Sequence, residues 1–386
     1  MNRLLLCVTN RLRKFQSIKT INIKSCFAVI FSIYIASTSC ASQPGAYENS
    51  RSLGMGGCSL CYTDDYLLLY RNPAGLCLKK EAEYSVLTPT FSRNSDFSKI
   101  DKHIDALKDN DTAVTRISNY SHLESMTGKT GFQRWSNTAY YIGEKGFGVG
   151  VRYDDYQFYR VDNPSNPQMK SSVYKDCVVS GSFARPIEDQ NQNIFKDKAV
   201  GWYGASLKIA TRKKTESVFY ARDFAALTPN AIKDTDRTGI TLDADFGALW
   251  QLTNPLKTTF GVFIGNIFES KFSDEAGNLN RQYSIGASIQ PLTGEKERNE
   301  RLVLACEYFD DGSHVNSLTN IRLGARAKIA NGFYLSTGVK NGYLTGGMDF
   351  SFKDFSIGAS TYSEELGKSP GDREDRRYSV DASLRF

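Results

Sequence analysis

The last ten residues, Arg377–Phe386, read RYSVDASLRF. Tyr378, Val380, Ala382, Leu384 and Phe386 alternate there with Arg377, Ser379, Asp381, Ser383 and Arg385. A period of two marks a β-strand with two unlike faces. One face is apolar and aromatic, the other charged or small. Upstream the same rhythm returns at Phe355–Thr361, Leu344–Phe350, Phe333–Val339, Ile321–Ile329, Leu302–Tyr308, Tyr283–Ile289, Phe260–Ile264, Leu242–Trp250, Tyr203–Ile209 and Phe147–Tyr153. Phe263 falls on the opposite face from Phe260, Val262 and Ile264. The intervals Gly312–Asn316, Asn331–Gly332 and Lys340–Gly342 are short, as in sequential hairpins.

Many of these runs have about 9–11 residues, enough for a tilted strand to cross a bilayer. Unpaired strand edges are prohibitively costly in lipid, so such a sheet must close on itself. The pattern predicts an all-β chain: a single transmembrane antiparallel β-barrel of about 14 strands, within about 12–16. A soluble β-sandwich or propeller uses the same alternation. The load of 21 tyrosines and 23 phenylalanines favours lipid. Trp135, Trp202 and Trp250 are expected in the interfacial aromatic girdles.

The 386 residues carry 48 basic and 42 acidic side chains. Residues 1–41 hold Arg3, Arg11, Arg13, Lys14, Lys19 and Lys24 and no acid, so 42 basic face 42 acidic side chains in the rest. A neutral body excludes a basic groove, and no nucleic-acid partner is expected. The basic stretch to Lys24, the apolar run from Cys26 to Ala36 and the small residues up to Ala41 form a secretory signal peptide over residues 1–41. Cys40 leaves lipidation as the alternative to simple cleavage after Ala41.

Cys58, Cys61, Cys77, Cys177 and Cys306 follow, an odd number that cannot all pair within one chain. Free thiols and a disulfide among the first three both remain open. His103, His122 and His314 are the only histidines and fall in loop-like stretches, so no metal site or cofactor is expected. No serine, histidine and acid constellation stands out, and the chain does not read as an enzyme. Glu364, Glu365 and the run Asp372–Arg377 read as a solvated loop between the last two strands.

Residues 42–131 break the rhythm. Ser50–Gly57 is SRSLGMGG, and YLLLYRNPAGL runs from Tyr66 to Leu76 behind Asp65. Tyr66–Tyr70 reads as a short helix or strand ending at the Asn72-Pro73 turn. Residues 95–130 form a long polar loop with a short helix over Lys99–Leu107. A barrel of this size encloses a lumen that wall side chains cannot fill. Gly54, Gly56 and Gly57 permit a tight backbone path inside it. Arg51 and Arg71 are then expected to pair with inner-wall acids such as Asp243 or Asp245.

SRSLGMGG, Asp64-Asp65 and NPAGL (Asn72–Leu76), together with the last hairpin ending at Phe386, resemble the FadL-like outer-membrane barrels. That group includes long-chain fatty acid and aromatic hydrocarbon transporters, PorV-like proteins of type IX secretion and TraF-like relatives. The resemblance implies a fourteen-stranded barrel of a Gram-negative outer membrane with an N-terminal hatch. It places Asn72, Pro73, Ala74 and Gly75 in that hatch, giving a division into hatch over 42–80 and barrel over 81–386. It also implies a C-terminal signal, Tyr378 and Phe386, read by the barrel-assembly machinery.

The implied function is uptake or passage of small hydrophobic molecules through a barrel embedded in outer-membrane lipid. The alternative is a non-transporting barrel, a secretion accessory or scaffold that binds a protein partner in the PorV-like manner.

Overall fold

The computed structural model describes residues 47–62, 65–108, 121, 124–162, 168–187, 199–220, 233–291, 302–313 and 316–386. The expected signal peptide, Cys40 and most of the polar interruptions at 188–198 and 221–232 lie outside the described residues.

Fifteen strands follow one another, from β1 (Glu83–Ser85), β2 (Thr90–Asn94), β3 (Thr130–Gly143), β4 (Phe147–Asp162), β5 (Gln168–Pro186), β6 (Ala199–Tyr220) and β7 (Lys233–Leu252). The rest are β8 (Thr259–Gly265), β9 (Gln282–Ile289), β10 (Leu302–Asp310), β11 (Ile321–Ala330), β12 (Phe333–Lys340), β13 (Tyr343–Ser351), β14 (Phe355–Glu365) and β15 (Glu374–Leu384). From β3 onward each pairs antiparallel with the next. β1 and β2 both pair with β3, and β2 also pairs with β15, matching Phe91 to Val380. They therefore share one position in the wall, and the sheet closes as a fourteen-stranded barrel. Thr88 sews the break between them, donating from its amide to Asn137 Oδ1 (2.9 Å) and from its hydroxyl to the Thr138 carbonyl (2.7 Å).

The alternation read from sequence sorts the two faces. Leu207, Leu242, Ile285, Leu323, Leu344, Met348, Val380 and Phe386 point outward and are exposed. Their strand neighbours Lys208, Asp243, Arg322, Asp349 and Arg377 point inward and are buried. This inversion of the soluble pattern fits a wall whose outer solvent is hydrocarbon. Trp135 and Trp250 share the outward parity, but Trp202 lies on the inward parity with Gly204 and Ser206, so the girdle expectation fails for it.

The barrel is lopsided. β5, β6 and β7 have 19, 22 and 20 residues, about twice what a crossing requires. On β6 and β7 the outward apolar residues stop near Ile209 and Ile240, and beyond that level the outer face carries Lys213 and Asp236, with Lys175 beside them on β5. The turns at 144–146, 331–332 and 352–354 share one end of the barrel with the C-terminus, the periplasmic end by the usual barrel asymmetry; the overhanging ends of β5, β6 and β7 and the β8–β9 connection are at the other, extracellular end. α2 (Phe97–Lys108) extends the expected helix by two residues at its start. It packs on the outer face of β3 and β4, with Phe97 and Ile100 buried beside Gly131 and Tyr159.

The last hairpin differs from the expectation of a solvated charged loop. Only residues 366–373 connect β14 to β15. Glu364, Asp375 and Arg377 sit inside the strands at lumen-facing positions and are buried, because that parity is the polar face of both strands.

Candidate functional site

Residues 47–62 and 65–78, within the segment expected to form the hatch, lie in the lumen along the inner wall. α1 (Ser50–Gly54) starts at a capping box: Asn49 Oδ1 accepts from the Ser52 amide (2.9 Å), and Ser52 Oγ accepts from the Asn49 amide (3.1 Å). Ser50 lies against β14 and β15, its amide donating to Asp381 Oδ1 (3.0 Å). Gly54 meets β12 and β13 at Ser336 and Gly347. Gly56 and Gly57 have φ of 69° and 82° and bend the chain against β11. Leu60 and Cys61 reach Gly261 on β8.

The chain then crosses the lumen. A 3-10 turn over Tyr66–Leu69 sets Leu69 and Tyr70 against Gly148 and Gly150 of β4. Asn72 caps a second 3-10 turn, Pro73–Leu78, through Oδ1 to the Ala74 amide (3.2 Å), with Pro73 at its first position. Asn72, Pro73 and Ala74 seat against two wall glycines, Gly247 and Gly204. A methyl built on Gly204 would lie 2.6 Å from the Ala74 amide nitrogen, so only glycine permits this approach. Gly75 packs on Leu68.

Two buried ion-pair groups hold the hatch to β10–β14. Arg71 Nη2 donates to Glu307 Oε1 (2.7 Å), and the amides of Ser59 and Leu60 donate to Oε2 (2.9 and 3.0 Å). Arg71 and Arg322 both stack on Phe309, at 4.3 and 4.0 Å. Glu48 is bound by Lys340 (2.8 Å) and Arg322 (3.3 Å), and Lys340 also holds Glu364 (2.8 Å). The expected pairing of Arg51 and Arg71 with Asp243 or Asp245 is therefore corrected. Arg51 lies 3.9 Å from Asp65, while Asp245 binds Lys208 (2.7 Å). Asp243 accepts the amides of Phe268 (3.1 Å) and Ser270 (3.0 Å). Register drift around the barrel brings Arg71 to β10, a placement no local pattern specifies.

Burial alone opposes ionisation of Glu48, but Lys340 and Arg322 outweigh it and hold its pKa down at about 2, from an ordinary 4.5. A carboxyl whose folded pKa lies below its unfolded one stabilises fully above the unfolded value. The contribution is lost as pH falls from about 4.5 toward 2. The thermal midpoint of the wild-type barrel should therefore drop across that window. Glu48→Gln should start lower and lose this component of the slope. An unchanged slope in the variant would place the acid sensitivity elsewhere.

On the opposite side, against β3–β7, apolar clusters pack among wall ion pairs such as Arg212–Asp176 and Lys208–Asp245. Phe132, Tyr156 and Phe158 cluster toward the extracellular rim, with Tyr174 and Leu366 packed on them. Arg212 stacks on Tyr174 (5.3 Å) and on Phe272 (4.5 Å), bridging to a second cluster. That cluster joins Phe272, Ala276 and Leu279 of the β8–β9 connection to Tyr47, Leu67–Tyr70, Val178, Ala210, Tyr140, Ile142 and Leu76. The result is an aromatic and aliphatic stripe from the rim to the periplasmic turn. A cleft lined wholly by hatch residues, among them Asn49, Arg51, Met55, Tyr62 and Asp65, encloses about 10 Å³, space for one water molecule.

Other residues singled out in the sequence are plainly placed. Cys58, Cys61, Cys77, Cys177 and Cys306 are free thiols. Burial raises the pKa of Cys58 and Cys61, which makes poor nucleophiles of them. Tyr378 and Phe386 are exposed on the outer face, and Phe386 stacks on Tyr84 at 5.5 Å. Glu48, Glu307, Arg322 and Lys340 escaped the sequence reading. Parity places Glu307 and Arg322 on the lumen face, but Lys340 reads as part of a hairpin turn, and nothing local names the partners of any of them.

A closed barrel with an apolar outer band and a polar, plugged lumen is a transmembrane barrel of the Gram-negative outer membrane. No protein-family model matches the chain, and no curated protein matches it. Among solved structures it is similar to the CymD monoaromatic hydrocarbon channel, at 13% identity and TM-score 0.50, over 89% of this chain and 98% of that one. The deltaS2S3 mutant of the TodX monoaromatic hydrocarbon channel gives 11% identity and TM-score 0.50, over 88% and 98%. The toluene transporter TbuX of Ralstonia pickettii gives 10% identity and TM-score 0.45, over 89% and 98%. The chain has the fold of the TodX-type channels, in keeping with the FadL-like resemblance of its sequence.

Proposed function

We propose that this barrel passes small hydrophobic molecules across the outer membrane. The observation that carries the reading is the stripe from Phe132 and Tyr156 at the rim, through Phe272 and Tyr70, to Ile142 and Leu76. It offers a hydrophobic solute contacts along the lumen, on the side away from the hatch's ion pairs. Passage then requires the β8–β9 connection and the 66–70 turn to yield, while Arg71 and Glu48 keep the hatch tethered. The fold shared with hydrocarbon channels supports the reading. Tyr378 and Phe386 serve in it as the assembly machinery's contact.

The test is ligand binding and bilayer conductance on one preparation of the folded chain, first checked for the heat-dependent mobility shift of a closed barrel. Binding of toluene or a long-chain fatty acid with little steady current is the expected result. A heat-shifting barrel with neither binding nor current would overturn the proposal. It would favour the second reading, a non-transporting scaffold for a protein partner, which the one-water cleft in the hatch supports.

A further inference from the structure

We propose that the stripe selects neutral hydrophobic molecules bearing one hydrogen-bonding group, a substituted phenol for example, and that Tyr70 Oη reads that group. The inference rests on the transport reading and narrows its substrate class.

Tyr70 is fully buried, its ring 4.8 Å from that of Tyr47 and packed among Leu67, Leu69, Val178 and Ala210. Its hydroxyl finds no hydrogen-bond partner among the described residues, whereas that of Tyr66 nearby lies beside the Thr90 hydroxyl. Tyr140, in the same cluster, is satisfied by Glu83 at 2.5 Å. Phenylalanine would fill the Tyr70 site without burying an unsatisfied hydroxyl, which is costly in an apolar surrounding. The hydroxyl thus offers a hydrogen bond to whatever enters the cluster.

The charges around it restrict what that is. Arg212 is bidentate to Asp176 (2.8 and 2.7 Å), Lys208 binds Asp245, and Arg134 and Arg152 share Asp154. With Asp243, these four cations face four carboxylates among the described residues, and their formal charges cancel. A ligand carboxylate would add an uncompensated negative charge to this balanced set. A bare hydrocarbon would leave the Tyr70 hydroxyl unsatisfied. A neutral molecule with one polar group meets both conditions.

Access is through the β8–β9 connection. Phe272 packs at Arg212, two inward positions beyond Lys208, whose Nζ lies 5.9 Å from the Tyr47 ring centre. Asn266, Glu269, Asp274 and Glu275 in that connection have φ of 52°, 48°, 53° and 55°, a region that non-glycine residues rarely adopt. The segment is held there by Asp243 and by Arg212 Nη1 donating to the Asn278 carbonyl (3.3 Å). Its relaxation withdraws Phe272 from the stripe.

Equilibrium binding of p-cresol, toluene and octanoate to the full folded chain tests the proposal, with Tyr70→Phe and Tyr66→Phe beside the wild type. One well-made hydrogen bond predicts p-cresol tighter than toluene by roughly five- to tenfold. Tyr70→Phe should bring p-cresol down to the toluene level while the heat shift persists. If Tyr70→Phe loses the heat shift, Tyr66→Phe is read the same way at the neighbouring hydroxyl. Equal binding of p-cresol and toluene by the wild type, an undiminished preference in the variants, or tightest binding of octanoate would each overturn it. Binding of none of the three would instead remove the transport reading beneath it.

Discussion

Glu307→Ala is expected to destabilise the folded barrel by about 3–5 kcal/mol, the usual cost of removing one partner from a buried ion pair. Arg71 is 1% exposed and has Glu307 as its carboxylate at 2.7 Å. Burial already lowers the Arg71 pKa, so its guanidinium depends on that counter-charge. The same substitution strips acceptors from the Ser59 and Leu60 amides and from the Ser284 hydroxyl (3.0 Å). Unfolding in denaturant, followed by tryptophan fluorescence, reads the loss. The double variant Arg71→Met with Glu307→Met should recover most of it, because replacing both charges leaves neither uncompensated. A double variant no better than Glu307→Ala alone would mean that the pair does not act as a unit.

The second large effect is on conduction. Gly204→Val with Gly247→Val should raise steady ionic current well above the near-closed wild type while preserving the heat-dependent mobility shift. Gly204 and Gly247 are cross-strand partners on β6 and β7, and both touch the Asn72–Ala74 turn. Side chains at the two positions occupy the volume of that turn and drive it off the wall. The lipid-facing residues of β6 and β7 are on the other parity, so closure of the barrel is untouched. A plugged lumen of about 14 strands without its hatch is an aqueous pore. If current stays at the wild-type level, the turn is not what blocks the lumen.

These two variants also mark the limit of what sequence conveys. The glycines of SRSLGMGG and the NPAGL turn attract notice because they break the strand rhythm, and they lie in the hatch. Gly204 and Gly247 do not attract notice, since a glycine in an alternating strand looks like any other small inward residue. Their role appears only once the turn is seen against them. Trp202 makes the same point from the other side: proximity to a strand end suggests a girdle, but parity turns it inward.

The expected charged loop before β15 failed for a related reason. Asp372–Arg377 is mixed in sign, and a linear reading assigns such a run to solvent. The strand begins inside it, at Glu374, and from there every second residue faces the lumen. Asp375 and Arg377 therefore pair inside the barrel at 2.7 Å. Asn94 donates to Asp375 as well, at 2.7 Å across the closing seam of the sheet.

By itself the sequence determined most of the wall strands and their lipid-facing side, closure of the sheet and the need for something to fill it; its alternating runs leave out β1, β2, β3 and β5. Each of those follows from local periodicity and from the cost of exposing backbone edges to hydrocarbon. Only the tertiary structure decided which lumen charges meet and where the apolar stripe runs. Arg71 and Glu307 are 236 residues apart in the chain, and Glu48 and Lys340 are 292 apart. Their contact depends on the path of the inner segment across the closed lumen, a property of the whole barrel that no single strand encodes.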